Sequence, residues 1–254
     1  LNSLIDKIMQ QINYKIPKNL LSKGVTNSKT AKNSLESYIL YLAPARQNSK
    51  KINICPKASK GCEAACLFSA GRGKFNSVKN SRINKTEYFL DNKKEFCKQL
   101  AAETVKIAKR SIKLNKQIAI RYNGTSDLDF IYMLKKYGGL DLLTDKQFKN
   151  LVFYDYTAIG GKVKKYLNTR YFLTLSRKED NENEILNALK IGGNVAIVFK
   201  NDIPNNYKGF KVIDGDTSDL LTVYNRGVIL GLRAKGDAKR DLSGFVVDPL
   251  NINK

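Results

Sequence analysis

"LVFYDYTAIGGKVKKYLNTRYFLTLSR", residues 151–177, is the stretch that decides the fold. Its first seven and last eight residues are apolar runs rich in the aromatic and β-branched side chains that strands favour. Between them "AIGGKVKKYL" (158–167) reads as a short helix. Strand, helix and strand in so little chain make a crossover unit, and crossovers of this kind join parallel strands.

The same rhythm extends in both directions. "YILYLAP" (38–44), ended by Pro44, "QIAIRYNGTSD" (117–127), "NVAIVF" (194–199), "FKVIDGD" (210–216) and "GVILGLRAKG" (227–236) read as further strands. Helices are expected over 77–115, with Phe89, Phe96, Leu100, Val105 and Ile112 as the inward stripe, and at "LDFIYMLKKYG" (128–138) and "NENEILNALKIGG" (181–193). Residues 1–34 read as a short amphipathic helix (Leu4, Ile5, Ile8, Ile12) and a basic loop. Residues 35–254 then form one α/β domain, a partial or complete (β/α) barrel of six to seven parallel strands, with a doubly wound sheet as the alternative.

Charge is the strongest global signal. Lys and Arg number 45 against 23 Asp and Glu, a formal excess of +22 over 254 residues. Such an excess repels itself in the compact state and draws in polyanions, so DNA or RNA is the expected partner. No apolar run reaches the roughly 20 residues needed to cross a bilayer, and the first residues lack a charged-then-apolar export pattern. With four cysteines and no such pattern, a reducing, cytoplasmic setting is expected, that of a host cell if the chain is phage-encoded. Histidine is absent, which excludes Ser-His and Cys-His catalysis and His-ligated zinc. No Walker loop or dinucleotide fingerprint occurs.

Three of the four cysteines, Cys55, Cys62 and Cys66, fall within "NICPKASKGCEAACLFSAGRGKF" (53–75). A loop punctuated by Pro56 and Gly61 can bring three thiolates together, a set that suits an iron–sulfur cluster with one open iron or zinc completed by a fourth ligand. Cys97 is a candidate for that ligand and equally for a helical core position. The basic residues Lys57, Lys60, Arg72 and Lys74 surround the loop, and Lys79, Arg82 and Lys85 continue the row at helical spacing. Together with Arg233 these are the expected contacts to phosphates.

The polar residues gather at the carboxyl ends of the expected strands, where open α/β sheets and barrels bind ligands. Asp127, Asp155, Asp214 and Asp216 are the candidate catalytic carboxylates, able to act as nucleophile, general base or Mg²⁺ ligand. Arg121, Asn123, Thr125, Ser126, Tyr156, Ser176, Arg177 and Lys235 are the candidate substrate contacts, with Tyr154 or Tyr156 available to stack on a base. Arg121 lies on a strand, so its burial requires an acidic partner or a phosphate.

The order strand, three-cysteine loop, helix, strand resembles that of the radical S-adenosylmethionine enzymes, whose loop is spaced C-x3-C-x2-C where this chain has C-x6-C-x3-C. That resemblance implies an iron–sulfur cluster, with S-adenosylmethionine as cofactor. Over residues 30 to 247 the chain more closely resembles an uncharacterised family of bacteriophage proteins. The resemblance rests on "CP-x-A-x2-GC-x3-C" (Cys55 to Cys66), "GRG" (71–73), "NGTSD" (123–127), "YDYT" (154–157) and "SGF" (243–245). The expected function is therefore modification of DNA or RNA by a phage-type enzyme with a three-cysteine iron–sulfur or metal site. Two other readings stand beside it: a base-exchange transglycosylase using the strand-end aspartates, and a non-enzymatic DNA-binding protein with structural zinc.

Overall fold

A computed structural model describes residues 14–24, 34–66 and 71–251. The expected N-terminal helix, with its Leu4, Ile5, Ile8 and Ile12, and much of the basic loop after it lie outside these residues.

Nine strands form one sheet: β1 (Leu21–Lys23), β2 (Glu36–Leu40), β3 (Ile118–Arg121), β4 (Leu151–Thr157), β5 (Tyr171–Ser176), β6 (Asn194–Phe199), β7 (Asn206–Tyr207), β8 (Phe210–Asp214) and β9 (Ile229–Arg233). Their spatial order is β1-β2-β3-β4-β5-β6-β9-β8-β7. Strands β2 to β6, β9 and β8 are parallel to their neighbours, while β1 and β7 pair antiparallel with β2 and β8.

The sheet is open, so of the expected partial or complete barrel the complete one is not formed. Closure requires the two outer strands to pair, but here they are β1 and β7, at opposite edges of an open sheet. Each outer strand belongs to an antiparallel pair that ends the parallel run. Among the described residues seven strands run parallel, within the six to seven expected.

From β2 to β6 the spatial order follows the chain, so every crossover steps the same way. At constant hand, this lays all the connecting helices on one face. Helices α1 (Lys60–Ala64), α2 (Asn76–Asp91) and α3 (Lys93–Leu114) precede β3, α4 (Phe130–Gly138) precedes β4, α5 (Gly160–Tyr166) precedes β5, and α6 (Glu182–Lys190) precedes β6. Side chains from α2 to α6 join Ile120, Phe153, Leu175 and Ile197 in a single core cluster. Each large apolar side chain buried there contributes about 1.5–3 kcal/mol. The opposite face is covered by the β8–β9 connection and its helical turn α7 (Leu221–Tyr224), with Leu220 and Val223 packed on Ala119, Tyr154 and Phe172. Thr222 accepts from Asn194 Nδ2 at 3.1 Å and its hydroxyl meets that of Thr174 at 2.6 Å, which ties the turn to β5 and β6.

The single helix expected over 77–115 is two. Asn92, with φ −130° and ψ 55°, leaves the helical region and separates α2 from α3. Of the expected inward stripe, Phe89, Phe96 and Leu100 are buried, whereas Ile112 is 48% exposed. On α3 Ile107, Ala108 and Ser111 take the inward positions instead, because at about 100° per residue Ile112 falls about 160° round the helix from Phe96.

Candidate functional site at the carboxyl edge of the sheet

The loops leaving the carboxyl ends of β2, β3, β4 and β5 bring most of the marked sequence stretches together. After β2 the chain passes through Pro44 and enters the cysteine loop. Ala45 N–H donates to Cys55 Sγ at 3.4 Å, and Cys55 Sγ–H points to the Thr125 carbonyl at 3.8 Å. Asp127 N–H donates to the Ile54 carbonyl at 3.0 Å, and Thr125 Oγ1 donates to the Leu42 carbonyl. The cysteine loop is thereby laced along "NGTSD".

Its other flank is held by chain from much further on. Glu179, just beyond β5, accepts from Ser59 Oγ at 2.6 Å and from Gly61 N–H at 2.9 Å, anchoring the start of α1. The segment around "SGF" packs Phe245 with Ala65, Ala234 and Ala238 against Cys62. A side chain at position 61 would collide with Ser243 Oγ and stand 2.8 Å from Glu179 and 2.9 Å from Phe245 Cβ, so the backbone can approach only because residue 61 is glycine. Arg177 completes this clamp, donating to the Phe245 carbonyl at 3.0 Å and the Gly244 carbonyl while lying 3.5 Å from Glu182.

All four cysteines are free thiols. Burial raises Cys55 to about 11, opposed by the hydrogen bond from Ala45 and aided by the smaller effect of the neighbouring Cys66 thiol. Burial, then Cys66 and Cys55, raises Cys62 to about 12. The three thiols therefore sense one another. Among the described residues, no three Cys, Asp, Glu or His side chains are gathered closely enough to hold a metal ion as they stand. Cys97 is fully buried beside Phe96 and Leu100 on α3, in its core position.

Beside the loop lies a buried polar network centred on β3 and β4. Asp155 is 1% exposed and accepts from Asn123 N–H at 2.7 Å, Asn123 Nδ2 at 3.2 Å and Tyr171 OH at 2.8 Å. Burial raises it to about 6, opposed by the Arg121 cation and by those hydrogen bonds. Arg121 stands 3.7 Å from Asp155 and 3.6 Å from Asp219, lies 4.8 Å over the Tyr156 ring, and donates to the Asn123 carbonyl at 3.2 Å. Burial works against its charge, but Asp219, Tyr154 and Asp155 outweigh burial and hold it cationic. Tyr154 is fully buried next to it, and its hydroxyl has no hydrogen-bond partner among the described residues.

Asn123 organises the turn itself, its Oδ1 accepting from Ser126 Oγ at 2.9 Å and Leu128 N–H at 2.8 Å. Asp127 accepts from Thr157 Oγ1, Ala158 N–H and Lys162 Nζ, each at 2.8 Å, joining the β3 and β4 loops. In front of the β4 and β5 ends a groove of about 540 Å³ is lined by Lys57, Ala158, Ile159 and residues 178–184.

The candidate carboxylates thus divide. Asp127 and Asp155 belong to this edge network. Asp214 and Asp216 lie at the end of β8, four strands from β4, where Arg233 reaches Asp214 at 2.9 Å and Lys235 reaches Asp216 at 2.7 Å. Arg233 and Lys235 are accordingly matched by carboxylates. Among the expected substrate contacts, Ser176 accepts through its carbonyl from Asn181 Nδ2 at 3.0 Å, in the wall below the groove.

The expected phosphate contacts divide as well. Lys57, Lys60, Arg72 and Lys74 are exposed around the loop and Lys79 is half-buried. Arg82 stacks 5.0 Å over the Tyr41 ring. Lys85 is turned inward, 7% exposed, and donates to the Leu20 carbonyl at 2.7 Å, so it presents no charge to a surface. Asp219, Lys162, Tyr171 and Glu179 are part of the site without having been marked in the sequence. Asp219 and Glu179 sit in ordinary-looking turns, "TSDLL" and "RKEDNE", and nothing local distinguishes them.

These features define a predominantly parallel, open-sheet α/β protein with a three-thiol loop clamped over the carboxyl edge. The family model described as gene product 88 matches residues 18–249, and the chain belongs to that phage-type family. No curated protein and no solved structure matches it. Among the described residues no helix is long and apolar enough to cross a membrane.

Proposed function

We propose that the protein is a nucleic-acid-modifying enzyme in which Cys55, Cys62 and Cys66 bind an iron–sulfur cluster or a metal ion at the carboxyl edge of the sheet. The observation that carries this reading is the placement of the thiol loop. It follows the first parallel strand, is clamped from both sides by "NGTSD" and by Glu179 with "SGF", and adjoins a groove at the ligand-binding end of the sheet. Thiols in such loops deprotonate and gather as the metal enters, so a loop held at its flanks suits the task. A cluster would supply one-electron chemistry, with S-adenosylmethionine as a candidate co-substrate, and zinc would supply a Lewis acid.

The chain's own contribution is positioning. Glu179 and Gly61 hold the loop, and Asn123 and Asp155 set the β3 turn beneath it. The groove offers room for an unstacked nucleotide, and the +22 charge supplies the attraction for the strand that carries it.

Anaerobic purification followed by iron, sulfide and zinc analysis tests this. About four irons per chain with matching sulfide, and a brown absorption band that disappears in Cys62→Ala, is the expected result. Zinc alone would move the reading to a structural zinc, DNA-binding protein. A chain that takes up no metal under reconstitution would end it.

A further inference from the structure

On α3, residues 94, 98, 106, 109 and 113 are all lysine and all exposed. At about 100° per residue they fall within an arc of roughly 120°, opposite the buried arc of Phe96, Leu100, Thr104, Ile107 and Ser111. Among the described residues, the one ion pair made by these lysines is that of Lys98 with Glu95, at 2.7 Å. The other acid of the helix, Glu103, is turned to the N-terminal strand and accepts from Leu20 and Leu21 N–H. The like-charged pairs three or four residues apart, 94/98, 106/109 and 109/113, each repel by a few tenths of a kcal/mol, so the free helix gains nothing from them.

We infer that this lysine stripe is a docking track for the phosphate backbone of a double-stranded nucleic acid. Within the row the pairs 94/98, 106/109 and 109/113 stand about 5–6 Å apart, on the order of the separation of successive phosphates along one strand, a gap of about 12 Å separates Lys98 from Lys106, and the whole row runs about 28 Å. Direction matters too. A helix that feeds a parallel strand runs antiparallel to it, so the first turn of α3 lies toward the carboxyl edge of the sheet. The track therefore starts at the rim of the proposed site and leads away from it. The inference rests on the nucleic-acid reading above and says which face meets the duplex.

The test is fluorescence anisotropy of a labelled duplex with the full chain, titrated between about 50 and 200 mM salt. Two variants are compared with the parent: Lys106→Gln/Lys109→Gln/Lys113→Gln, and Lys57→Gln/Lys60→Gln/Lys74→Gln at the rim. Each phosphate contact contributes about 0.9 to the slope of log affinity against log salt, so the stripe variant should lose about 2.7 from it. Its circular dichroism should match the parent, because all three positions are exposed. A stripe variant with the parent's slope, while the rim variant loses its own, overturns the track and leaves the nucleic-acid reading standing. A parent chain that shows no salt-dependent binding overturns both.

Discussion

Two charged clusters in this protein are built from the same residue types and behave oppositely. Arg121 with Asp155 and Asp219 lies inside the molecule, its carboxylates 1% and 6% exposed. Arg233 with Asp214 and Asp216 lies at the surface, its guanidinium side chain 46% exposed. In the sequence both look alike, an Arg on a strand with aspartates at strand ends. Their difference is solvent. The inner carboxylates give up hydration and must be repaid by Asn123, Tyr171 and the cation, whereas Asp214, 40% exposed, keeps water whether or not Arg233 is near, and Asp216, 16% exposed, keeps Lys235.

The largest effect follows from removing the inner cation. Arg121→Ala leaves Asp155 and Asp219 buried without their counterion and strips the Asn123 carbonyl of a donor. Breaking a buried pair from one side costs about 3–5 kcal/mol. Urea unfolding of the variant should show the free energy of unfolding lowered by that amount and the midpoint moved down by that amount divided by the m-value. An unchanged midpoint would mean that the cluster is hydrated in solution.

A smaller effect separates the clusters by pH. Asp155 titrates at about 6 in the fold because burial disfavours its charge, while an unfolded Asp titrates at about 3.9. Between these values the native state holds the extra proton, so the contribution of Asp155 to stability is complete below about pH 4 and is lost as pH rises through about 6. Over that window it amounts to about 3 kcal/mol. Asp155→Asn should remove it, so the stability difference between parent and variant should change across pH 4–6 and be flat above pH 7. A difference that does not vary with pH would show that Asp155 titrates alike in the folded and unfolded states.

How much of this was readable beforehand depends on whether the determinant is local. The crossover unit at 151–177 is a matter of neighbouring residues, and β4, α5 and β5 lie where the apolar runs place them. The demand that a buried Arg121 find an acid follows from elementary electrostatics, and Asp155 and Asp219 meet it. Asp219 itself was not identifiable, because it arrives from the β8–β9 connection, nearly a hundred residues later in the chain. Sheet closure was not readable either. It depends on what pairs with the outermost strands, and a three-residue β1 and a two-residue β7 are too short to leave a period-2 pattern. For the thiol loop the sequence pointed to the cysteines and to "SGF", yet not to their meeting, nor to Glu179, the other half of the clamp, which carries no motif-level mark.

The smallest effect belongs to the outer cluster. Arg233→Ala removes contacts of 2.9 Å to Asp214 and 3.4 Å to Asp216, yet Lys235 still reaches Asp216 at 2.7 Å and water replaces the lost donors. Exposed pairs are screened by salt and give back in side-chain entropy most of what they gain in attraction. The variant should therefore unfold with the parent's midpoint, and raising the salt concentration should leave the two indistinguishable. A marked loss of stability would mean that this corner is shielded from water, for instance by a second chain or a bound strand laid across β8 and β9. The contrast between the clusters would then reflect what covers each of them, and repeating the Arg233→Ala measurement at several protein concentrations would separate a second chain, whose effect grows with concentration, from a shield within the monomer.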